Sequence, residues 1–164
     1  PEILDVLKKY KAKATFFHVG ENVKKYPDLY KQIQSEGHIS GNHTLNHVNG
    51  WQTKTEDYIK NVEDCREIFN TNLFRPPFGK IKRQQIKKLI KEYRIIMWSV
   101  LSYDFHYKVT PEQCYENERK NAKSGSIIVF HDNIKTREKV LYALPKVLDY
   151  FSEQGYQFIT IPLH

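Results

Sequence analysis

Hydrophobic positions along this chain switch repeatedly between a helical and an extended spacing. Pro1 and Glu2 followed by Ile3, Leu4 and Leu7 predict a helix start, with proline at the first position and an acid in the first turn. Ala14 to Val19 is a short apolar run of strand length. Asn22 to Glu36 carries Val23, Leu29, Tyr30 and Ile33 at helical spacing and stops at Gly37. His38 to Ser40 predicts a weak strand, followed by a polar loop through Gly50. Thr55 to Phe69 predicts a helix with Ile59, Val62, Ile68 and Phe69 on one side, and Leu73-Phe74 predicts a strand that Pro76-Pro77 must end.

The alternation continues to the end of the chain. Lys82 to Tyr93 places Ile86, Leu89, Ile90 and Tyr93 on one helical face. Ile95 to Leu101 reads as the clearest strand, Pro111 to about Ala122 as a helix, and Ser126 to Phe130 as a strand. Val140, Leu141, Leu144, Val147, Leu148 and Phe151 form the stripe of a last helix ending near Gly155, and Phe158 to Ile161 predicts a closing strand. Strands separated by helices of about a dozen residues mean βαβ units and a parallel sheet, either open or closed as a barrel. The predicted order opens on a helix with no strand before it. Such a helix is either an ornament or the crossover from a strand that precedes Pro1.

At 164 residues the chain is expected to form one domain over residues 1–164. Its 40% hydrophobic and 27% charged content excludes disorder, collagen-like sequence and coiled coil. No apolar run is long enough to span a membrane. The formal charge of +7 would suit an anionic partner, but the basic residues come in short clusters such as Lys24-Lys25 and Lys87-Lys88 on the polar sides of helical patterns. Solvated helix faces are therefore the better reading, and no nucleic-acid partner is expected. Cys65 and Cys114 have no metal-type spacing and read as two buried free thiols.

Ligand sites in parallel α/β folds lie at the carboxyl ends of the strands. After the second predicted strand comes Gly41 to His47, after the third Arg75 to Gly79, after the fourth Ser102 to His106, and after the fifth His131 to Asn133. His43 and His47 are four residues apart, which brings both imidazoles to one side if the loop enters a helical turn, an arrangement suited to two ligands of a zinc site. Arg75 reads either as a structural cap or as a bidentate clamp on a carboxylate. His131 reads as a buried histidine or a general acid, and its company favours the acid. His18 and His38 read as packing residues, whereas His106 and His164 carry no assignment.

Taken in order, these motifs resemble the polysaccharide deacetylases, the NodB-homology domain or carbohydrate esterase family four. Gly41 to His47 (GNHTLNH) is similar to the family's HTxxH motif and Phe74 to Gly79 (FRPPFG) to its RxxPF/Y motif. Trp98 to Phe105 (WSVLSYDF) resembles the DxxDW stretch, Ile127 to His131 (IIVFH) the last motif, and Ala12 to Gly20 the strand after the first helix. The resemblance implies a distorted, incomplete parallel (β/α) barrel of seven-stranded type. It implies a divalent metal, zinc first, and hydrolytic deacetylation of an N-acetylated glycan such as peptidoglycan or chitin, with an O-acetyl xylan substrate as an alternative. By motif, His43 and His47 would be metal ligands, His131 the general acid and Arg75 the residue orienting the base. Asp104 would support the acid, while Pro77, Phe78 and Tyr103 would line the substrate groove. A monomer acting outside the cell or at its envelope is implied.

Two departures qualify the resemblance. The family's TFDD-like first motif, which carries the base and an Asp ligand, is absent, so the chain is expected to be N-terminally truncated and its own turnover weak or lost. Leu101 stands where many members have Asp, and Phe105 where they have Trp, which weakens the role carried to Asp104. A catalytically inactive glycan-binding relative is the alternative from another functional class.

Overall fold

The computed structural model describes residues 1–163, so His164 lies outside the described residues. The chain divides into two compact units, one of residues 1–13 and 98–159 and the other of residues 14–97 and 160–163.

The unit built on the middle of the chain is a four-stranded parallel sheet in the order β1 (Thr15–His18), β2 (Ile39–Asn42), β3 (Leu73–Phe74) and β4 (Arg94–Ile95). Register runs from Thr15 opposite Ile39 to His18 opposite Asn42, then Asn42 opposite Phe74 and Phe74 opposite Ile95. Parallel neighbours need a crossover, and helices supply each one. These are α2 (Gly20–Lys25) and α3 (Pro27–Ser35), then α4 (Thr55–Arg66), then α5 (Arg83–Leu89). Tyr58 and Val62 of α4, Phe74, Leu89 and Tyr93 make one core cluster, and Val23, Cys65 and Phe69 another.

The other unit pairs β5 (Val100–Leu101) in parallel with β6 (Ile128–Val129) and packs α1 (Glu2–Lys9), α6 (Pro111–Asn121) and α7 (Arg137–Glu153). Thr110 and Gln113 cap α6 reciprocally, with Pro111 at its first position. The predicted stripe of α7 is buried at Val140, Leu144, Val147, Leu148 and Phe151. The α/β class with parallel strands is therefore as expected, and the described strands form two separate sheets rather than one closed one.

Three elements differ from the sequence pattern. The helix read over 22–36 is two, because Pro27 lacks an N–H and restricts Tyr26, which leaves the helical region at φ −128° and ψ 60°. The strand read over 95–101 is broken, since the carbonyls of Ile96 and Met97 accept from the Arg75 guanidinium instead of extending a ladder. No strand forms at 158–161, where the Ile161 amide donates to the Thr15 hydroxyl at 2.9 Å rather than to a backbone carbonyl.

Basic pairs sit in the last turns of helices, Lys8-Lys9, Lys24-Lys25 and Lys87-Lys88 among them, where positive charge complements the helix dipole. Both cysteines are buried and free. His38 is buried, and its Nδ1 accepts from the Ala14 amide. Burial holds His18 down to about 4, neutral at ordinary pH, with its Nε2 against the Ser40 hydroxyl.

The loop that follows β2 is pinned from below. Gln85, fully buried, donates to the Gly50 carbonyl at 2.9 Å and accepts from the Lys82 amide at 2.8 Å. A Cβ on Gly50 would stand 2.4 Å from the Lys80 carbonyl oxygen and 3.2 Å from Ile81 Cα, both backbone atoms that cannot swing aside. Gly50→Ala is expected to cost about 1–3 kcal/mol as an overpacking defect, lowering the melting temperature by several degrees in a thermal scan. An unchanged melting temperature would show that the loop and the 80–82 segment can part freely.

Candidate functional site

Asn42 closes β2 and starts the loop that carries both candidate histidines. Its side chain is fully buried, donating from Nδ2 to the Val62 carbonyl and accepting at Oδ1 from the Thr44 amide, each at 2.8 Å. That turn, of the Asx kind, sends the chain away from the sheet. Thr44 then takes φ +68° and His47 φ +61°. The left-handed region is costly for residues with a Cβ, on the order of 1–3 kcal/mol each, and persists only where neighbours enforce it. Asn61 of α4 supplies part of that enforcement, accepting from the Leu45 amide at 2.9 Å and donating to Asn46 Oδ1 at 3.0 Å.

No helical turn forms between His43 and His47, the condition on which the sequence reading brought both rings to one side. The two left-handed residues do the work instead and bring the rings to 5.0 Å between centroids, at 62°. His43 Nδ1 lies 2.6 Å from the Arg75 carbonyl oxygen. A carbonyl can only accept, so Nδ1 carries the hydrogen and the neutral ring has its lone pair on Nε2. Bonding the far nitrogen to a backbone carbonyl is the usual way a histidine is oriented toward a metal. Chemically the pair fits two ligands of a three-ligand site. Among the described residues no group of three or more His, Cys, Asp or Glu side chains is arranged to hold a cation.

Arg75 follows β3 and is tied to the same loop, its amide donating to the Asn42 carbonyl at 3.0 Å. Its Nε donates to the Ile96 carbonyl at 3.2 Å and Nη2 to that of Met97 at 2.9 Å, while the guanidinium lies 4.2 Å from the Phe17 ring centre. Burial pushes this arginine down to about 10, still charged near neutrality. Among the described residues it makes no ion pair with a carboxylate, and the capping reading accounts for these two bonds. Beyond it Pro77 is buried, whereas Phe78 is 59% exposed and held at φ +60°, with its ring 4.7 Å from that of His47. A bulky residue in this conformation is strained, and the strain presents an aromatic edge beside a candidate ligand.

A second constellation occupies the other unit. Ser102 is buried at the end of β5, donating its hydroxyl to the Val129 carbonyl of β6 at 2.9 Å. Tyr103 takes φ +58° with its side chain outward, and Asp104 turns back inside, 1% exposed. Its carboxylate grips His131 twice, accepting the backbone amide on Oδ2 at 2.6 Å and the Nδ1 hydrogen on Oδ1 at 2.7 Å. The Thr136 hydroxyl donates to the His131 carbonyl from the other side. The ring is thereby fixed in orientation, with a side chain 40% exposed that offers Nε2 outward. Phe105 stands edge-on to it at 5.2 Å, and Tyr103 lies 6.0 Å from Phe105. Leu101, where many members of the resembled family have Asp, serves β5 and pairs with Val129.

The two constellations hold every candidate named from the sequence. His43, His47, Arg75, Pro77 and Phe78 belong to one unit, and Tyr103, Asp104 and His131 to the other. Asn42 and Asn61 were not singled out from the sequence. The signal for Asn42 was present, an Asx residue directly before the histidine loop, whereas nothing in the sequence marks Asn61.

The Polysaccharide deacetylase family matches residues 1–97. A peptidoglycan-N-acetylglucosamine deacetylase of Bacillus cereus is 38% identical over 98% of this chain and 79% of its own length. The crystal structure of the Bc1960 peptidoglycan N-acetylglucosamine deacetylase, in complex with 4-naphthalen-1-yl-N-oxidanyl-benzamide, is similar with a TM-score of 0.93 at 33% identity, over 99% of this chain and 79% of that one. A CE4 family pseudoenzyme from Bacillus anthracis is similar with a TM-score of 0.83 at 26% identity, over 98% of this chain and 58% of its own. Against further curated peptidoglycan deacetylases the chain spans between 34% and 64% of their length.

Proposed function

Because this chain belongs to the polysaccharide deacetylase family, we propose that it serves the hydrolytic removal of acetyl groups from a cell-wall glycan, with N-acetylglucosamine units of peptidoglycan as the substrate. The observation that carries the reading is the His43–His47 pair, with the Nε2 lone pair of His43 set by the Arg75 carbonyl. The relatives described above, named as peptidoglycan N-acetylglucosamine deacetylases, support the choice of glycan.

The chemistry asks for few groups. Water gives a proton to a carboxylate base and adds to the acetyl carbonyl carbon, the C–N bond breaks with its electron pair on nitrogen, acetate departs, and the amine nitrogen takes a proton to leave. His43 and His47 would hold a divalent cation, zinc first, which when bound polarises the carbonyl and makes a water more acidic. His131 gives its Nε2 proton to the departing nitrogen. Asp104 keeps the other ring nitrogen hydrogen-bonded and balances the imidazolium charge. Arg75 retains an Nη1 hydrogen-bonding group beyond its two carbonyl bonds, suited to orienting a carboxylate base. Phe78 and Tyr103 offer exposed ring surface to the sugar. Such an enzyme works at the cell wall.

The test is acetate release from N-acetylglucosamine oligomers by chelator-stripped protein, before and after zinc. Weak zinc-dependent release is the expected result, because no base and no third ligand stand beside the pair among the described residues. No release at any zinc concentration, with glycan binding retained, would favour a binding relative without turnover. The similarity to a CE4 family pseudoenzyme from Bacillus anthracis is the observation behind that second reading. His47→Ala should weaken zinc binding in calorimetry by more than the roughly 10–100-fold typical of losing an outer-shell partner, with the fold intact. Wild-type zinc affinity in this variant would sink the ligand assignment.

A further inference from the structure

Helix α6 wears two different faces. Outward, Glu116 pairs with Arg119 at 2.8 Å and Lys120 at 3.1 Å. Inward lie Cys114 and, one turn later, Glu118, both fully buried where α6 packs along α7 and β5. Glu118 is the anomaly. Neither of its carboxyl oxygens has a hydrogen-bond partner among the described residues, and no cation pairs with it. An ionised carboxylate in that position would be penalised heavily, whereas a leucine of similar size would pack there without cost.

The groups that face it are few. The loop after β5 brings the negative charge of Asp104 to bear on Glu118, and the neighbouring Asn117 ties α6 to that loop by donating to the Ser102 carbonyl at 3.1 Å. From α6 itself comes the Cys114 thiol, which burial and Asp104 push up to about 11. From α7, Lys139 acts on the neighbouring Cys114, its ammonium donating to the His106 carbonyl at 2.6 Å, and the buried residues of α7 are apolar. The residues β5 contributes, Val100 and Leu101, are apolar.

Asp104 and Glu118 are carboxyl groups of two segments that the Asn117–Ser102 hydrogen bond ties together, and their surroundings are unlike. Asp104 receives two N–H donors from His131, and Glu118 receives none. Interacting carboxyls in such a case divide their protons by environment. We propose that Glu118 is a positioning residue for the acid chemistry, a carboxylic acid that stays protonated behind Asp104 and, by ionising as pH rises, adds the charge that keeps His131 protonated on the alkaline side. This rests on the reading of His131 as the general acid.

Burial first, and the charge of Asp104 second, push Glu118 up to about 8 from an ordinary value of 4.5. A second negative charge tightens the hold of the imidazole on its proton. The intrinsic rate of donation falls, but by less than the protonated fraction gains, because proton-transfer rates follow only part of a change in acidity.

Two measurements on Glu118→Gln, which fixes the neutral state, test this. The first needs no activity. The folded wild type keeps a proton on Glu118 that the unfolded chain loses, so between about pH 4.5 and 8 its unfolding constant should rise by an extra tenfold per pH unit (about 1.4 kcal/mol), and this component should vanish in the variant. A wild-type slope that persists in Glu118→Gln overturns the proposal whether or not the protein is a deacetylase. The second is the pH profile of acetate release. The ratio of kcat/KM at pH 9 to that at pH 7 should fall several-fold in Glu118→Gln, moving the alkaline limb to lower pH. A superimposable profile, with the stability slope lost, would leave Glu118 a buried acid with no hold on His131 and overturn the positioning role. Should Gln fail to fold, Glu118→Leu carries both measurements. Absence of acetate release at every pH counts against the function proposed above, and the stability slope still decides the state of Glu118.

Discussion

Asp104→Asn is expected to lower deacetylation by roughly 10²–10⁴-fold, the range over which a positioned acid contributes. The carboxylate accepts two hydrogens from His131, one from the backbone and one from Nδ1. A carboxamide has one oxygen to offer, and its NH₂ must face the other donor or force the ring to accept. If it donates to Nδ1, the proton of the neutral ring moves to Nε2 and the imidazolium loses its counter-charge. The acid that should protonate the departing amine is then disfavoured by tautomer and by charge together. Folding should survive, because Asn fills the same volume and Ser102 still ties β5 to β6. Acetate release paired with a thermal melt separates these effects. Turnover at the wild-type rate would remove His131 from the chemistry.

The second large effect is structural in origin. Asn42→Ala should cost about 2–5 kcal/mol, since it strands the Thr44 amide and the Val62 carbonyl in a fully buried place and each such group is worth about 1–3 kcal/mol. For a chain of this size the melting temperature should fall by roughly 4–20 °C. Asp at the same position keeps the acceptor for Thr44 but sets an oxygen against the Val62 carbonyl, so it should be no better than partial rescue. Loss of zinc affinity should accompany the fall, because Thr44 and His47 no longer have the turn that holds them left-handed. A thermal melt with calorimetry on the same preparation reads both. A variant with unchanged stability would mean that the loop is held by Asn61 alone.

Glu118 extends the same logic to a charge. Spacing along α6 would assign its inward face to apolar residues, yet a carboxyl group stands there without a partner. Its position four residues after Cys114 was legible, but its protonation state was not. That state depends on Asp104, fourteen residues earlier on another element.

Helices α1, α4 and α7 were legible because their buried positions recur at helical spacing, a property of the nearby chain alone. Strand breaks were not. The interruption between β4 and β5 is made by a guanidinium from position 75, twenty-one residues before the carbonyl it first meets. The stretch 158–161 has strand composition, and its register with Thr15 depends on atoms 146 residues apart.

By itself, the sequence determined the α/β class, the helix positions apart from the break at Tyr26, the order of the motif loops and the residue types available for metal and acid chemistry. All of these follow from local periodicity and from side chains written into consecutive positions. Only the tertiary structure decided that His43 and His47 meet through two left-handed residues rather than a helical turn, that Arg75 spends its guanidinium on backbone carbonyls, and that Asp104 grips His131 across 27 residues. Orientation, tautomer and protonation are set by which donor or acceptor arrives within about 3 Å, and burial fixes what each contact is worth. Both depend on parts of the chain that are distant in sequence.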